Sequence, residues 1–278
     1  MDYAYYNGKF GRYEDITVPL SDRALFFGDG VYDAAVGRDG KIFLIDEHSN
    51  RLFKNAAKLR IIPPVSREEL NKILFEVIRR SGLSEYFLYV QFSRSKARRV
   101  HSAVGADSNL LVTVSEWALP SPDKSLSLIT AEDLRYQYCD IKTVNLLPAV
   151  IASTRAEESG ADEAVFHRGD TVTECAHSNI SILKDGVLLT HPESPFILPG
   201  ITRRHLIDLA KSLGVPVLER PFTLSELFSA DEVLVSSTTK LVTRAKSIDR
   251  KKVGGGDGKT FSLLQAAVCE EFNNYLIG

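Results

Sequence analysis

Short apolar runs rich in β-branched and aromatic residues recur along the chain and predict strands, whereas longer stretches with apolar positions on one face predict helices. Near the start, Asn7-Gly8 separates Ala4-Tyr5-Tyr6 from Lys9-Phe10, and this dipeptide favours the tight turn of a β-hairpin. Further strands are predicted over residues 87–92, 110–115, 127–130, 164–167, 171–174, 180–183, 187–190 and 232–235.

Helix start signals precede several of the helical stretches. Asp46 has the position of an N-cap for a helix that runs through Arg51 to residue 60. Ser66 and Glu69 form a capping box for a second helix, which we expect to end near Gly82. Asn145 is expected to cap a third helix that ends near residue 160, and further helices are predicted over residues 201–213 and 261–275.

Two prolines between strand-like runs mark residues 118–123 as the best candidate for an interdomain linker. A small N-terminal α/β domain would then span residues 1–117, and a larger C-terminal domain would span residues 124–278. Strands and helices do not alternate one for one, so a parallel (β/α)₈ barrel is not expected. The predicted class is mixed α/β (α+β), with two domains.

Composition excludes several classes of protein. The 278 residues are 44% hydrophobic and 25% charged with a formal net charge of −2, which is typical of a globular chain rather than a disordered one or a nucleic-acid-binding one. No apolar run approaches the ~20 residues of a membrane span, and the N-terminus lacks the pattern of a signal peptide. The three cysteines show no zinc-binding spacing, which favours a reduced, cytoplasmic protein.

Two residues are candidates for covalent or electronic catalysis. Lys142 lies among apolar residues just before a predicted helix, and apolar surroundings favour the neutral amine that Schiff-base chemistry requires. Glu174 lies between apolar strand residues and a turn of small residues, where a buried carboxylate can hold a cationic ring nitrogen. Taken singly, each is more often an ordinary surface residue, a lysine at a strand edge or a solvated glutamate at a strand end.

Three segments are candidate anion sites. Ile201 and Thr202 open a predicted helix, where backbone N–H groups are available to a phosphate. Ser237 and Thr238 follow a strand and offer hydroxyl and amide donors. Arg51 lies in a helix, where a charged residue normally faces solvent. Each signal is weak alone because helix caps and polar turns occur in most proteins.

Arg99 and His101 form a candidate carboxylate site. In an extended segment their side chains point to the same side, and an arginine offers two parallel donors to a carboxylate. The alternative is a basic surface loop, since residues 94–98 carry four further cations or polar groups. Tyr32 follows Gly28 and Gly30, and its phenol either enters a cleft or packs against the next strand.

Taken in order, these segments resemble the fold-type IV pyridoxal-phosphate enzymes, the class IV aminotransferases, and among them the D-amino-acid transaminase branch. The matching stretches span residues 26–239 and read FFGDGVYD, EHSNRL, RRVH, CDIKTVNLL, VTECAHSN, THP, ILPGITR and SSTT. The RVH stretch is the part that indicates the D-amino-acid branch. The resemblance implies a two-domain D-amino-acid aminotransferase-like fold with the cofactor at the domain interface.

The resemblance implies pyridoxal 5′-phosphate as the cofactor, and no metal. Lys142 would form a Schiff base with it and move a proton during catalysis, and Glu174 would pair with the protonated ring nitrogen. The other cofactor-binding residues would be Arg51, Ile201, Thr202 and Thr238 at the phosphate, Ser178 and Ser237 near the ring and phosphate, and Arg135 at the phenolic oxygen.

The resemblance also implies the substrates and the assembly. Tyr32 would hold the substrate α-carboxylate together with Arg99 and His101, which would reach over from a second subunit of a homodimer. The enzyme would transfer the amino group of a D-amino acid such as D-alanine to a 2-oxo acid such as 2-oxoglutarate, giving pyruvate and D-glutamate.

Several alternatives stay open. A branched-chain L-amino-acid aminotransferase, an aminodeoxychorismate lyase and an (R)-amine transaminase share the fold, and a cofactor-free Schiff-base aldolase or a binding protein without catalysis lies outside it. Two residues depart from the family pattern: His177 in the turn after Glu174, and Lys240 after SSTT. We expect these departures to affect the substrate range more than the cofactor.

Overall fold

The computed structural model describes residues 1–95, 99–121 and 123–277. Pro122 of the predicted linker, and Lys96, Ala97 and Arg98 of the basic stretch before Arg99, lie outside these residues. The chain divides into two compact units. Unit 1 consists of Met1–Leu119 with Ile141–Asn145, and unit 2 consists of Pro120–Asp140 with Leu146–Gly278.

Unit 1 contains a six-stranded antiparallel sheet in the order β2-β1-β6-β5-β3-β4. Its strands are β1 (Tyr3–Tyr6), β2 (Lys9–Arg12), β3 (Gly30–Arg38), β4 (Lys41–Ile42), β5 (Glu85–Ser95) and β6 (Asp107–Glu116). The predicted N-terminal hairpin is confirmed, since Tyr6 pairs with Lys9 across the Asn7-Gly8 turn.

The described residues of unit 1 form three α-helices, α1 (Ala24–Phe27), α2 (Ile45–Lys58) and α3 (Arg67–Ser81), and a short 3-10 helix at Tyr13–Asp15. The capping box of α3 is confirmed, because Glu69 N donates to Ser66 Oγ at 3.2 Å and Ser66 N donates to Glu69 Oε2 at 2.8 Å. The N-cap prediction for Asp46 is wrong. Helix α2 follows Leu44, whose left-handed backbone (φ 51) turns the chain into the helix, and no side chain caps it.

The apolar faces of α2 and α3 pack on one face of the sheet. Leu52, Leu70 and Leu74 are each no more than 3% exposed and share a core with the strand residues Val31 and Leu88. This core fixes β3 against α2, which are the two elements that carry Tyr32 and Arg51.

Residues 141–145 belong to unit 1, although the sequence analysis placed them in the C-terminal domain. Thr143 forms an antiparallel bridge with Val31, and Tyr32 N donates to Lys142 O at 2.9 Å. Ile141 is 7% exposed and part of the same core. Backbone pairing and apolar burial therefore attach the Lys142 segment to strand β3.

The sheet of unit 2 is mixed, in the order β12-β11-β10-β14-β15-β7-β8-β9-β13, with β16 on β15. Strands β7 and β8 run parallel, as do β7 and β15, and β11 and β12. The strands are β7 (Ser125–Glu132), β8 (Glu163–Arg168), β9 (Thr171–Cys175), β10 (Asn179–Lys184), β11 (Val187–Thr190), β12 (Val217–Glu219), β13 (Phe222–Thr223), β14 (Glu232–Ser237), β15 (Leu241–Ile248) and β16 (Lys251–Lys252).

In the described part of unit 2 there are four helices: α4 (Leu147–Glu158), α5 (Ile201–Ser212), α6 (Leu224–Phe228) and α7 (Gly258–Ile277). Helix α7 begins three residues before the predicted start at Phe261. Among the residues that the structure describes, no helix combines the length and apolarity needed to cross a membrane.

The prediction that Asn145 caps α4 is wrong. The cap position belongs to Leu146, without a side-chain bond, and Asn145 Nδ2 instead donates to Gly28 O at 2.7 Å. Gly28 has a left-handed backbone (φ +58), and a Cβ there would collide with the Asn145 amide. Glycine at this position thus permits the bond that holds the end of the Lys142 segment.

Candidate active site

Lys142 lies beside an aromatic ring of unit 1. Its Nζ is 4.4 Å from the centre of the Tyr32 ring, and Tyr32 stacks on Tyr89 with ring centres 5.3 Å apart. No carboxylate in the described part of the chain forms an ion pair with Lys142. The amine is therefore positioned by a ring face, which leaves its nitrogen able to react with a carbonyl group.

Arg51 is not a solvated helix residue. Its Nε donates to Asp33 Oδ2 at 2.8 Å and its second guanidinium nitrogen donates to Asp33 Oδ1 at 2.9 Å. His48 Nδ1 lies 2.7 Å from the same Oδ1. The side chains of Arg51, Asp33 and His48 are 11%, 3% and 7% exposed, so the three form a buried polar cluster.

The protonation states in this cluster follow from burial and charge. Burial opposes the ionised form of Asp33, but Arg51 and His48 outweigh burial and hold the pKa of Asp33 well below its usual range. Burial lowers the pKa of His48, and the positive charge of Arg51 acts in the same direction against the opposing effect of Asp33. The cluster is thus an arginine–aspartate ion pair with a histidine on one carboxylate oxygen.

Glu174 is buried at the end of β9 in unit 2, with a side chain 6% exposed. Its Oε1 accepts from Arg135 at 2.5 Å, and its Oε2 accepts from Asn179 Nδ2 at 3.0 Å and from Leu198 N at 2.9 Å. Asp133 holds the other side of the Arg135 guanidinium through two bonds of 2.9 Å. These donors fix the orientation of the carboxylate.

His177, Ser178 and Lys240 meet at one buried carboxylate. Glu163 is 0% exposed, and its Oε1 accepts from the backbone N of His177 at 2.9 Å and contacts the His177 ring. Its Oε2 accepts from Ser178 Oγ at 3.0 Å and from Lys240 Nζ at 3.0 Å. Burial opposes ionisation of Glu163, but His177 and Lys240 outweigh burial and lower its pKa to about 2.

The two departures from the family pattern are therefore partners of one acid. Glu163 connects the β9–β10 turn, which carries His177 and Ser178, to the β14–β15 turn, which carries Lys240. The hydroxyl of Ser178 donates to Glu163 and cannot donate to a second acceptor at the same time.

Helix α5 begins with donors that suit an anion. Gly200 has the N-cap position, no side chain caps the helix, and its first turn contains no acidic residue. Ile201 and Thr202 are buried at the first two positions. A Cβ on Gly200 would collide with Asn179 Oδ1, so the helix begins directly against the start of β10. Unsatisfied N–H groups at such an end favour a phosphate.

Ser237 and Thr238 lie near this helix start. Asn179 pairs with Ser236 between β10 and β14, which brings the end of β14 beside the residue that Gly200 contacts. Ser237 is the last residue of β14, and a turn closes there through Lys240 N and Ser237 O at 3.2 Å. Thr238 lies within that turn.

Arg99 and His101 approach the same aromatic ring in unit 1. The Arg99 guanidinium carbon lies 5.7 Å from the centre of the Phe27 ring, and the His101 and Phe27 rings are 5.5 Å apart. Neither residue lies in a strand, and both are exposed. The two side chains are thus close to each other on the surface of unit 1.

Sequence reasoning missed the acidic partners of the site. Asp33 and His48 lie in the stretches FFGDGVYD and EHSNRL. The spacing of His48 and Arg51 (i, i+3) places these two side chains on one helix face and could have indicated their shared partner. Glu163 lies 14 positions from His177 and 77 from Lys240, and nothing in its local sequence indicates those partners. Asp133 lies two positions before Arg135, but that spacing alone does not indicate an ion pair.

Comparison with known proteins confirms the predicted resemblance. Residues 30–248 match the family of class IV amino-transferases. A D-alanine aminotransferase of Listeria monocytogenes serotype 1/2a (strain 10403S) is 41% identical over 249 residues, 87% of this chain and 86% of the relative. A D-alanine aminotransferase of Staphylococcus haemolyticus is 35% identical over 280 residues, 99% of this chain and 98% of the relative.

Solved structures show the same fold. A branched-chain amino acid aminotransferase of Escherichia coli superposes with a TM-score of 0.87 at 26% identity, covering 97% of this chain and 94% of that one. A putative 4-amino-4-deoxychorismate lyase of Legionella pneumophila reaches 0.86 at 24% identity, covering 93% of this chain and 97% of that one, a likeness of fold alone. The mixed α/β, fold-type IV prediction is confirmed, and the chain belongs to the class IV aminotransferase family of enzymes.

Proposed function

We propose that this aminotransferase is a pyridoxal 5′-phosphate-dependent D-amino-acid transaminase that transfers the amino group of D-alanine to 2-oxoglutarate. The position of Lys142 carries this proposal, since its amine lies 4.4 Å from the centre of the Tyr32 ring. The strand of Tyr32, β3, also carries Asp33, which binds Arg51 of helix α2. The relatives named D-alanine aminotransferase, at 35–41% identity, support the D-amino-acid substrate class.

The donor sets fit a phosphorylated pyridine aldehyde. In unit 2, the uncapped start of α5 and the turn of Ser237 and Thr238 suit its phosphate, and the buried carboxylate of Glu174 suits a protonated ring nitrogen. In unit 1, Lys142 supplies the amine for the aldehyde and Arg51 a further cation for the phosphate. Arg135, held beside Glu174, is the candidate donor to the phenolic oxygen.

Pyridoxal phosphate, when bound, supplies an electron sink that stabilises negative charge at the substrate Cα. Lys142 would hold the cofactor aldehyde through its amine and, once the substrate amine has taken that place, would remove the proton from the substrate Cα as a general base. Glu174 would bind the protonated ring nitrogen and so stabilise the electron-withdrawing form of the ring. The same amine would then donate that proton to the cofactor carbon that keeps the amino group, and the 2-oxo acid would be released.

The substrate carboxylate is bound by Tyr32, Arg99 and His101. Arg99 offers two parallel donors and His101 a third, and both side chains lie near the Phe27 ring. Recognition of the carboxylate fixes which face of Cα meets Lys142, and this selects one enantiomer. A 2-oxo acid with the same carboxylate then takes up the amino group in the second half of a ping-pong cycle.

The proposed assembly is a homodimer in which Arg99 and His101 serve the partner's site. Helix α4 supports an apolar interface, because Leu147, Val150 and Ile151 share one face and are 68%, 55% and 53% exposed. The opposite face of α4 packs inward through Ala152 and Ala156. An exposed apolar face of this kind is typical of a subunit contact.

Borohydride reduction of the protein incubated with pyridoxal phosphate tests the cofactor assignment. We expect one covalent adduct, located by mass spectrometry on the peptide that contains Lys142, and none in Lys142→Ala. Lys184, whose Nζ donates to Ser229 O at 2.8 Å on the surface of unit 2, provides a matched control, because Lys184→Ala must leave the adduct unchanged. Labelling elsewhere, or none, would contradict the assignment of Lys142.

A further inference from the structure

Arg23 is a buried cation that the proposed mechanism does not use. Its side chain is 4% exposed, and its Nε donates to Asp29 Oδ2 at 2.8 Å. Arg94 donates to the other oxygen of Asp29 at 2.6 Å. One carboxylate thus binds two arginines, and a buried charge of this kind is costly unless every donor has a partner.

The two terminal nitrogens of Arg23 donate to the backbone of the Arg99–His101 segment. One terminal nitrogen donates to Val100 O at 2.6 Å and the other donates to His101 O at 3.0 Å. These bonds join residues almost 80 positions apart in the sequence. Because carbonyl oxygens of an exposed segment normally bond to water, a buried guanidinium on two of them restrains the segment.

Phe27 links the same arginine to the side chains of that segment. The Arg23 guanidinium carbon lies 4.5 Å from the centre of the Phe27 ring, and Arg99 and His101 approach the ring at 5.7 and 5.5 Å. Helix α1, which carries Phe27, begins directly after Arg23. Arg23 therefore restrains the backbone of the segment that carries Arg99 and His101. It also contacts the Phe27 ring that their side chains approach.

We infer that Arg23 is a positioning residue for carboxylate recognition, a role that rests on the proposed substrate-binding function of Arg99 and His101. Arg23 does not meet the substrate, since its side chain is 4% exposed and each of its three nitrogens donates to Asp29 or to one of the two carbonyls. Restraining Arg99 and His101 in advance reduces the conformational entropy lost when a carboxylate binds. Loss of Arg23 should therefore weaken binding of the carboxylate and leave proton transfer at Cα unchanged.

Arg23→Gln tests this role, with Arg94→Gln as the matched control. Both variants remove one arginine from Asp29, but Arg94 donates to Leu59 O and not to the Arg99–His101 segment. The readouts are KM and kcat for D-alanine and the inhibition constant of propionate, which carries the carboxylate without the amine. We expect Arg23→Gln to raise KM and the propionate constant about tenfold, because two charge-assisted bonds are lost, and to leave kcat within about twofold.

Arg94→Gln is expected to leave the KM and the propionate constant near the wild-type values. Arg23→Lys keeps the buried charge and one donor to the segment, so we expect its propionate constant to lie between those of wild type and Arg23→Gln. If Arg23→Gln does not fold, the comparison of Arg23→Lys with wild type tests the role instead. Equal changes in the two glutamine variants, or a fall in kcat with an unchanged propionate constant, would overturn the inference.

Amide hydrogen exchange of residues 99–106 tests the restraint without catalysis. Exchange in Arg23→Gln is expected to accelerate in this segment and not in the α2 helix. Unchanged exchange would contradict the role of Arg23 even where activity is lost. If wild-type protein does not turn over D-alanine, or if Arg99→Gln leaves propionate inhibition unchanged, the proposed function fails, and the exchange result still decides whether Arg23 restrains the segment.

Discussion

Among the described residues, three buried carboxylates hold side chains of the candidate site and its surroundings. Asp33 binds Arg51, Glu174 binds Arg135, and Glu163 binds Lys240, His177 and Ser178. Counted over the whole residue, each of these acids is at most 4% exposed. Because a buried carboxylate needs donors, it fixes the orientation of those donors, and this is how the chain places arginine and lysine side chains with defined directions.

Glu163 makes stability depend on acid pH. Its pKa falls from the ordinary 4.5 to about 2 in the folded chain. Its contribution is therefore complete above about pH 4.5 and is lost as the pH falls through about 2, which amounts to about 3 kcal/mol of unfolding free energy. We expect the difference in urea stability between wild type and Glu163→Gln to shrink across that window. A difference that stays constant from pH 5 to 2 would contradict the ion pairs of Glu163.

Asp33 is expected to be essential for the burial of Arg51. Asp33→Asn removes the negative charge that offsets a buried guanidinium, and we expect a loss of about 3–5 kcal/mol in unfolding free energy. Asp15→Asn is the control, because Asp15 pairs with Arg12 on the surface at 2.9 Å and solvent screens that pair. Chemical denaturation of both variants measures the loss of unfolding free energy. An equal loss in the two variants would contradict the prediction that Asp33 offsets the buried charge of Arg51.

At the scale of elements, sequence signals located most of the described strands, although not β3, and the central parts of the five longer helices. The hairpin at Asn7-Gly8 and the capping box at Ser66 are local, and local backbone preferences decide them. Asp46 and Asn145 failed as caps for a different reason. Leu44 turns the chain into α2 through its own backbone, and Asn145 bonds to Gly28, over a hundred residues away.

The two proposed caps give a matched pair of substitutions. Ser66→Ala removes an observed cap of α3, and we expect a loss of about 1 kcal/mol in unfolding free energy. Asp46→Ala removes only a favourable charge in the first turn of α2, and we expect less than about half that loss. Thermal and urea denaturation distinguish the two, and the reverse order would mean that Asp46 caps its helix in solution.

Sequence reasoning also identified the segments of the candidate site but not how they are held. Lys142, Glu174 and Arg51 each follow from their local stretch and the family resemblance. Asp33 and Glu163, which bind Arg51 and Lys240, reach these partners through the packing of strands and helices from separate parts of the chain. No periodicity in the sequence reports such pairings, so the ion pairs emerged only from the fold.

For the whole molecule, the proposed dimer predicts complementation between inactive variants. Lys142→Ala lacks the reacting amine, and Arg99→Gln lacks the carboxylate-binding cation that we assign to the partner's site. A mixed dimer would place both defects in one site and leave the other intact. After unfolding and refolding the mixture, we expect about a quarter of the wild-type D-alanine activity. A mixture as inactive as its components would show that Arg99 does not serve the partner's site.

The absorption spectrum of the pyridoxal-phosphate-loaded protein tests the D-amino-acid transaminase function most directly. We predict a visible band that depends on Lys142, that D-alanine converts to the band of pyridoxamine phosphate, and that 2-oxoglutarate restores. L-Alanine and L-leucine should leave the band unchanged. Conversion by L-leucine alone would identify a branched-chain enzyme instead, and a band that persists in Lys142→Ala would contradict the assignment of the catalytic lysine.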